Sequence, residues 1–353
     1  MKLLKIILFL NISVKLLYAS DICLIESSSH KMFSNDSGYE FTNYGFKKGI
    51  NDTSPKLIYK TYSNSSGDVG LVQTTRKAIA DGCKILFGFA TSKECLLVGK
   101  IAVSNDVLIA SNTCAHSSIE KFYPHIITGV PSAKTYSDLL VKYILNKQLN
   151  TVLIYSKTDL LSREYLKDIK QKSQITAMQY NDEADKKKIL DVMKSYQGKE
   201  INLAIMFYPV AGKQIVDYLA SQKLDFSRIH LLAAPSWPYD LRSVKKIINL
   251  DKFKSVQTVD IKYNLKSFKE AKDLLKISPQ KDMHNIHLSG YQISSLVMNC
   301  YLKHGAKLTE KLKQCLFNSS HSGPIYDLSY NDSVFPKVKL HVSDLKERIQ
   351  LEN

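Results

Sequence analysis

The chain reads as an α/β protein of two Rossmann-like lobes, each built on a parallel sheet and joined by a hinge. Three observations predict this. Short apolar runs alternate with segments of helical periodicity from residue 22 to about 260, the pattern of buried parallel strands and crossover helices. The alternation restarts at Ser132, after a strand broken by Pro131, so there are two such runs. The helices beyond residue 260 are too few for a third domain. They are expected to return to the first lobe, giving several crossings and a hinge able to close. A chain of 353 residues, 44% hydrophobic, has ample material for two cores.

In chain order, residues 1–20 are expected to be a secretory signal peptide. Lys2 and Lys5 precede Ile6-Ile7-Leu8-Phe9-Leu10, and Leu16-Leu17-Tyr18-Ala19-Ser20 ends in small residues. That run is too short and interrupted to span a bilayer, and no later run is apolar enough. Asp21-Ile22 do not fit lipoprotein processing at Cys23. The expectation is an exported, periplasmic protein that is not membrane-embedded.

Ile22 to Glu26 is the first strand, followed by a polar loop, Ser27 to Gly38. Tyr39 to Asn51 is a helix and Lys56 to Tyr62 the second strand. Ser66 to Asp81 is a helix stopped by Gly82, a C-terminal glycine cap. Lys84 to Ala90 and Val107 to Ser111 are strands that each run into a hydroxyl-rich segment. Thr91-x-x-Glu94 and Ser117-x-x-Glu120 both fit the capping box of a helix start. His125 to Pro131 is the last strand of the first run.

The second run opens with a helix whose apolar face is Tyr136, Leu139, Leu140, Tyr143 and Ile144. Strands are expected at Thr151 to Tyr155, Gln174 to Gln179, Ile201 to Tyr208, His230 to Ala233 and Ser255 to Asp260. Helices fall at Leu160 to Lys172, Glu183 to Tyr196, Ala211 to Gln222 and Tyr239 to Asn249. Three more, Ser267 to Lys276, His284 to Lys303 and Leu308 to Phe317, precede a strand-like Gly323 to His341. Lobe 1 is assigned 21–130 plus about 261–322, and lobe 2 is assigned 131–260 plus about 323–353.

Removing the signal leaves 46 basic against 33 acidic residues, a net charge of about +13. The lysines are scattered, the longest run being Lys186-Lys187-Lys188, and no recognition-helix, RNP or zinc-finger pattern accompanies them. A solvated lysine-rich surface is expected, with no nucleic-acid partner. Six cysteines in an exported chain allow up to three bridges and about 15 pairings. Cys300 with Cys315 is the expected bridge around Gly305, and Cys95 with Cys114 is a second candidate. Cys23 and Cys83 sit at strand positions and are read as buried thiols.

The two strand-to-helix junctions between Lys84 and Ala115 form a lip. In open α/β sheets ligands bind beyond the carboxyl ends of the strands, and a helix start there offers N–H groups to a small anion. The order of strand, Thr91-Ser92, strand, Asn112-Thr113-Cys114-Ala115 and Thr128-Gly129-Val130-Pro131-Ser132 resembles the type I periplasmic binding proteins of the leucine/branched-chain amino-acid class. Thr151-Val152-Leu153-Ile154-Tyr155-Ser156 and Ser289-Gly290-Tyr291-Gln292-Ile293 carry the resemblance further, over roughly Asp21 to His341. It rests on order and spacing rather than on one motif.

The resemblance implies that the lip loops hold a ligand's carboxylate and amino group. Ser92 (hydroxyl and N–H), Thr91, Thr113 and the N–H of Ala115 are the matching positions. The opposing lobe would contribute Asp159-Leu160, Phe207-Tyr208 and Pro235-Ser236-Trp237. Members that bind free amino acids carry a carboxylate in that last loop. Ser236 stands there instead, so Asp159 would have to meet an ammonium.

Each candidate also has a plain structural reading. Thr91, Ser92 and Asp159 suit helix capping, worth about 1 kcal/mol without any ligand. Tyr208 and Trp237 could be packing aromatics, although Trp237, the chain's one tryptophan, follows Pro235-Ser236 in a loop and is read as a cleft wall. His284 and His287 are read as a surface pair rather than metal ligands. No nucleophile elbow, zincin, P-loop or dinucleotide motif occurs, and no enzyme activity or cofactor is expected. Asn-x-Ser/Thr triplets at Asn35, Asn51, Asn64, Asn318 and Asn331 matter only in a eukaryotic secretory route. Two functions fit. One is a monomeric solute-binding protein delivering a small polar ligand, such as an amino acid or amide, to the permease of an ABC importer. The other keeps the fold without a ligand, as a protein–protein module such as an envelope-assembly activator or receptor-like sensor.

Overall fold

A computed structural model describes residues 21–26, 38–64, 67–247, 250–264, 268–276 and 285–352. The expected signal peptide, the loop after the first strand, Asn35 and His284 lie outside the described residues.

The first sheet has five parallel strands in the order β2–β1–β3–β4–β5. They are β1 (Ile22–Glu26), β2 (Lys60–Ser63), β3 (Ile85–Gly88), β4 (Leu108–Ser111) and β5 (Ile126–Thr128). Alternate residues face opposite sides. Ile22, Leu24, Phe87 and Ala110 enter one core, while Cys23, Ile25, Leu86 and Ile109 enter another. Apolar residues on both faces are why these strands are parallel and covered rather than half-solvated. Three helices connect them: α1 (Gly38–Thr53), α2 (Gly67–Ala80) and α3 (Ser92–Asn105).

The second sheet has six strands in the order β13–β10–β9–β8–β6–β7. Five are parallel: β6 (Asn150–Tyr155), β7 (Thr176–Gln179), β8 (Ile201–Ile205), β9 (Ile229–Ala233) and β10 (Ser255–Ile261). The sixth, β13 (Leu340–Asp344), joins β10 antiparallel at the edge. Helices α4 (Ala133–Lys147), α5 (Leu160–Lys172), α6 (Glu183–Ser195) and α7 (Pro209–Ser221) cover it.

Of the later helices, α9 (Phe268–Leu275), α10 (Asn285–His304) and α11 (Glu310–Phe317) contribute Leu275, Leu288, Val297 and Leu316 to the core that holds Ile22 and Phe46. Ile325, Tyr326 and Tyr330 join that core too, before β13 and the last helix, α12 (Leu345–Glu352), return to the second sheet. The passages between lobes are stitched together. Tyr326 Oη donates to Gly129 O at 2.6 Å and Tyr330 Oη to Thr128 O at 2.7 Å. Lys262 N–H meets Lys339 O at 2.7 Å, and Asn264 N–H meets Ile325 O at 2.7 Å.

Four local expectations are corrected. Tyr239 to Asn249 is not one helix: a 3-10 turn (Trp237–Asp240) precedes a five-residue α8 (Leu241–Lys245). Gly323 to His341 is not one strand: Leu328–Ser329 (β12) pairs with Ser320–His321 (β11), Ser329 bridges Lys337, and Leu340 and His341 open β13, while Pro324 and Pro336 cannot donate to a ladder. Ser117 opens a 3-10 turn (Ser117–Phe122) capped by His116, whose Nδ1 accepts from Ser118 N–H at 3.2 Å. The carboxylate of Glu120 goes to Ser333 Oγ instead of closing a capping box. Cys23 and Cys83 are a disulfide with Cα atoms 5.8 Å apart, not free thiols, because β1 lies beside the start of β3. The Cys95–Cys114 and Cys300–Cys315 bridges are present as read.

Candidate ligand-binding cleft

β3 ends on Gly88, whose φ is +137° and whose missing Cβ would lie 2.3 Å from Ile25 O. Only glycine passes that close to β1 in that conformation. The turn delivers Thr91 to the start of α3. Thr91 Oγ1 accepts from Glu94 N–H at 3.3 Å, and Thr91 N–H donates to Glu94 Oε2 at 3.2 Å, so this capping box forms. Ser92, the next residue, turns its hydroxyl to the other lip loop, where Oγ accepts the N–H groups of Ala115 at 3.0 Å and His116 at 3.1 Å. Thr113 Oγ1 donates to Ala90 O at 2.8 Å, and Cys95–Cys114 ties the same two loops covalently. The Ala115 N–H expected for a ligand is therefore occupied from within the chain.

Across the gap, Asp159 caps α5, its Oδ1 accepting from Leu161 N–H at 2.9 Å and Ser162 N–H at 3.3 Å. Burial raises its pKa; those two backbone bonds and Arg163 oppose the rise. Tyr208 precedes Pro209 at the start of α7. Its hydroxyl is pushed far above the usual tyrosine range, first by burial and then by the charges of Asp159 and Glu94. Tyr180 stacks on Phe207 with centroids 5.8 Å apart and donates its hydroxyl to Gln214 Oε1 at 2.9 Å.

Two connected spaces lie between the lobes. An inner cavity of about 40 Å³ is bounded by Thr113, Ala115 and Val130 on one side and by Tyr136, Tyr165 and Ser236 on the other. It has room for a few waters at most. An outer cleft of about 380 Å³ runs from Thr91, Ser92 and Lys93 to Ser156, Thr158, Tyr180 and Gln214. Asp159, Leu161, Phe207 and Tyr208 line both and form the partition.

Seven of the eight residues singled out in the sequence thus border one or both spaces. Trp237 does not, and its reading as a cleft wall is corrected. It is fully buried, its Nε1–H donates to Phe207 O at 2.9 Å, and its ring lies where a Cβ on Gly212 would come within 2.4 Å. The tryptophan holds Phe207 from behind. Sequence reasoning missed Tyr180 and Gln214, although Tyr180 directly follows β7 and a strand's carboxyl end is the signal that would have found it. It also missed Glu164. That carboxylate accepts Ser117 N–H at 3.2 Å on both oxygens, and its Oε2 lies 3.7 Å from His116 Nε2, joining α5 to the first lobe. No local spacing announces a contact between lobes across 47 positions of sequence.

His287 is buried at the α1–α10 contact, edge-on to Tyr44 at 5.7 Å, rather than on the surface. No group able to hold a metal ion occurs among the described residues. Ser255, His230 and Glu200 make a chain of hydrogen bonds, Ser255 Oγ to Nδ1 at 2.7 Å and Nε2 to Glu200 Oε1 at 2.6 Å. Serine and acid are on the opposite ring nitrogens from those of a serine-hydrolase triad. The trio sits at the amino ends of β8–β10, away from the cleft, and reads as strand-end bonding.

Two lobes with parallel sheets, several crossings and a cleft between them define the type I periplasmic binding protein fold. The chain belongs to the receptor family ligand binding region, whose family model matches residues 49–320. No curated protein matches it. Among solved structures it is similar to a Rhodopseudomonas palustris ABC-transporter solute-binding protein in complex with 4-hydroxybenzoate, with 13% identity, a TM-score of 0.71 and 92% of each chain covered. It is also similar to the branched-chain amino-acid transporter substrate-binding protein LivJ of Streptococcus pneumoniae in complex with isoleucine. There the identity is 14% and the TM-score 0.70, over 92% of this chain and 98% of that one. The leucine-binding protein LivK of Thermotoga maritima shows 13% identity and a TM-score of 0.71, over 91% of this chain and 94% of that one. At these identities the likeness is one of fold.

Proposed function

We propose that the protein is an exported, periplasmic receptor that traps a small solute between its lobes and presents it, as a monomer, to the permease of an ABC importer. No chemistry is done on the solute. The lobes divide at about residues 130 and 261, and the segment after residue 322 is shared between them. The observation that carries the reading is the partition of Asp159, Leu161, Phe207 and Tyr208, which borders a small inner cavity and a larger outer cleft, both walled by both lobes. A solute touching both lobes favours the closed state by its differential affinity for it. The importer role comes from what the similar structures are named for.

A second reading, a ligand-free protein–protein module, is favoured by one observation: Ser92 already fills the Ala115 N–H and the inner cavity is small. Thermal unfolding of the purified mature protein with amino acids, amides, amines and aromatic acids separates the two. A solute at a hundredfold its Kd adds about 2.7 kcal/mol of stability and raises Tm by several degrees. If no solute shifts Tm, the receptor reading falls and the module reading stands.

A further inference from the structure

The ligand's chemical class follows from which polar groups the cleft still offers, an inference that rests on the solute-binding reading above. On the first-lobe side the donors that line the inner cavity are spent, and what remains at the outer cleft is the hydroxyls of Thr91 and Ser92, which are neutral. The N–H groups of Ala115 and His116 go to Ser92 Oγ, and the Thr113 hydroxyl goes to Ala90 O. Among the described residues no lysine, arginine or histidine lines the inner cavity. The lysine of the outer cleft, Lys93, is paired with Asp68 at 2.6 Å. Lys157 and Arg163, the cations that flank Asp159 in sequence, are both exposed. A carboxylate entering the inner cavity would meet hydroxyls but no cation to balance its charge, and would lie beside the like charge of Asp159.

A cation meets the reverse. Asp159 is the one carboxylate lining the inner cavity, and both of its capping bonds fall on Oδ1. Tyr136, Tyr165, Phe207 and Tyr208 line the same cavity. The first three are nearly fully buried, at 3%, 4% and 4% exposure, so their faces are dry. A partly desolvated carboxylate in a cavity lined by aromatic rings can attract ammonium twice over, by charge and by the ring quadrupoles.

We propose that the cleft takes an organic amine lacking a carboxylate, its ammonium seated between Asp159 and the aromatic rings of the inner cavity. The inner space admits only a head group. The apolar body passes the Leu161–Phe207 partition and lies in the outer cleft beside Tyr180. The raised pKa of Asp159 and the strongly raised pKa of the Tyr208 hydroxyl beside it agree with a buried negative charge that a bound cation would balance.

The test uses phenethylamine, tyramine and putrescine against phenylalanine, leucine and 4-hydroxybenzoate, by thermal shift and calorimetric titration on the full mature chain. Asp159→Asn is run alongside, since asparagine keeps the helix cap and circular dichroism verifies the fold. At least one amine is expected to bind, phenylalanine to bind about tenfold or more weakly than phenethylamine, and Asp159→Asn to lose at least about tenfold in amine affinity. Binding of leucine or 4-hydroxybenzoate that survives Asp159→Asn, with no amine binding, overturns the amine assignment and leaves the solute-receptor reading intact. Absence of any shift overturns both.

Discussion

At the scale of single residues, Ser92 and Asp159 show how one position can be read correctly for place and wrongly for role. Ser92 is at the lip, as its spacing after β3 implied, but its hydroxyl serves the chain. Ser92→Ala leaves two N–H groups of the other lip loop without an acceptor, each costing about 1–3 kcal/mol when buried. The expected result is a loss of about 2 kcal/mol, seen as a lower urea midpoint with an unchanged m-value. Asp159 is destabilising as a carboxylate. Its folded pKa is raised above the unfolded value of about 3.9, so between the two values the native state holds the extra proton. Stability therefore falls as pH rises through that window, and the full loss applies above it. Asp159→Asn should melt higher than the parent at pH 7, and the difference should close below about pH 4. A parent as stable as the variant at neutral pH would contradict this. Trp237 was illegible for another reason: whether a loop tryptophan faces a cleft or a core depends on Gly212, a helix away, whose missing side chain makes the space.

At the scale of elements, what could be read was what is local. Leu160–Lys172 was legible to the residue because its apolar spacing and the Asp159 cap lie within one stretch. The Thr91 capping box formed and the Ser117 one did not, since the segment after Ser117 is pinned by Glu164 and Ser333 from elsewhere in the chain. The Cys23–Cys83 bridge needed β1 and β3 as neighbours, which a strand list does not order. Close helix packing was equally invisible. At Gly45 of α1 an added Cβ would lie 2.1 Å from His287 O of α10, a backbone atom that cannot swing aside. Gly45→Ala gains helix propensity of about 1 kcal/mol but must push the helices apart. A net loss of about 1–3 kcal/mol is expected by chemical denaturation; a neutral or stabilised variant would mean the pair has slack.

At the scale of the whole molecule, one contact joins the lobes directly at the cleft edge. Glu164 reaches from α5 to Ser117 N–H with both oxygens at 3.2 Å, and its carboxylate is largely buried, at 11% side-chain exposure. His116 lies beside the same carboxylate. Nδ1 accepts from Ser118 N–H, so the neutral ring carries its proton on Nε2, the nitrogen that faces Glu164 Oε2 at 3.7 Å. The hinge passages bond to one another, whereas the Glu164 contact runs from α5 of one lobe to the Ser117 turn of the other. A charge-assisted bond of this kind is worth about 1.5–3 kcal/mol, enough to change a two-state population by tenfold or more. Glu164→Ala should therefore raise the radius of gyration of the ligand-free protein in small-angle scattering, while its circular dichroism stays that of the parent. Glu164→Gln keeps an oxygen for Ser117 N–H but loses the charge, and should fall between the two. A saturating solute should return both variants to the parent's dimensions at weakened apparent affinity, because binding then draws on a smaller closed fraction. An alanine variant as compact as the parent would show that packing across the partition of Leu161 and Tyr208, not the Glu164 clasp, keeps the lobes shut.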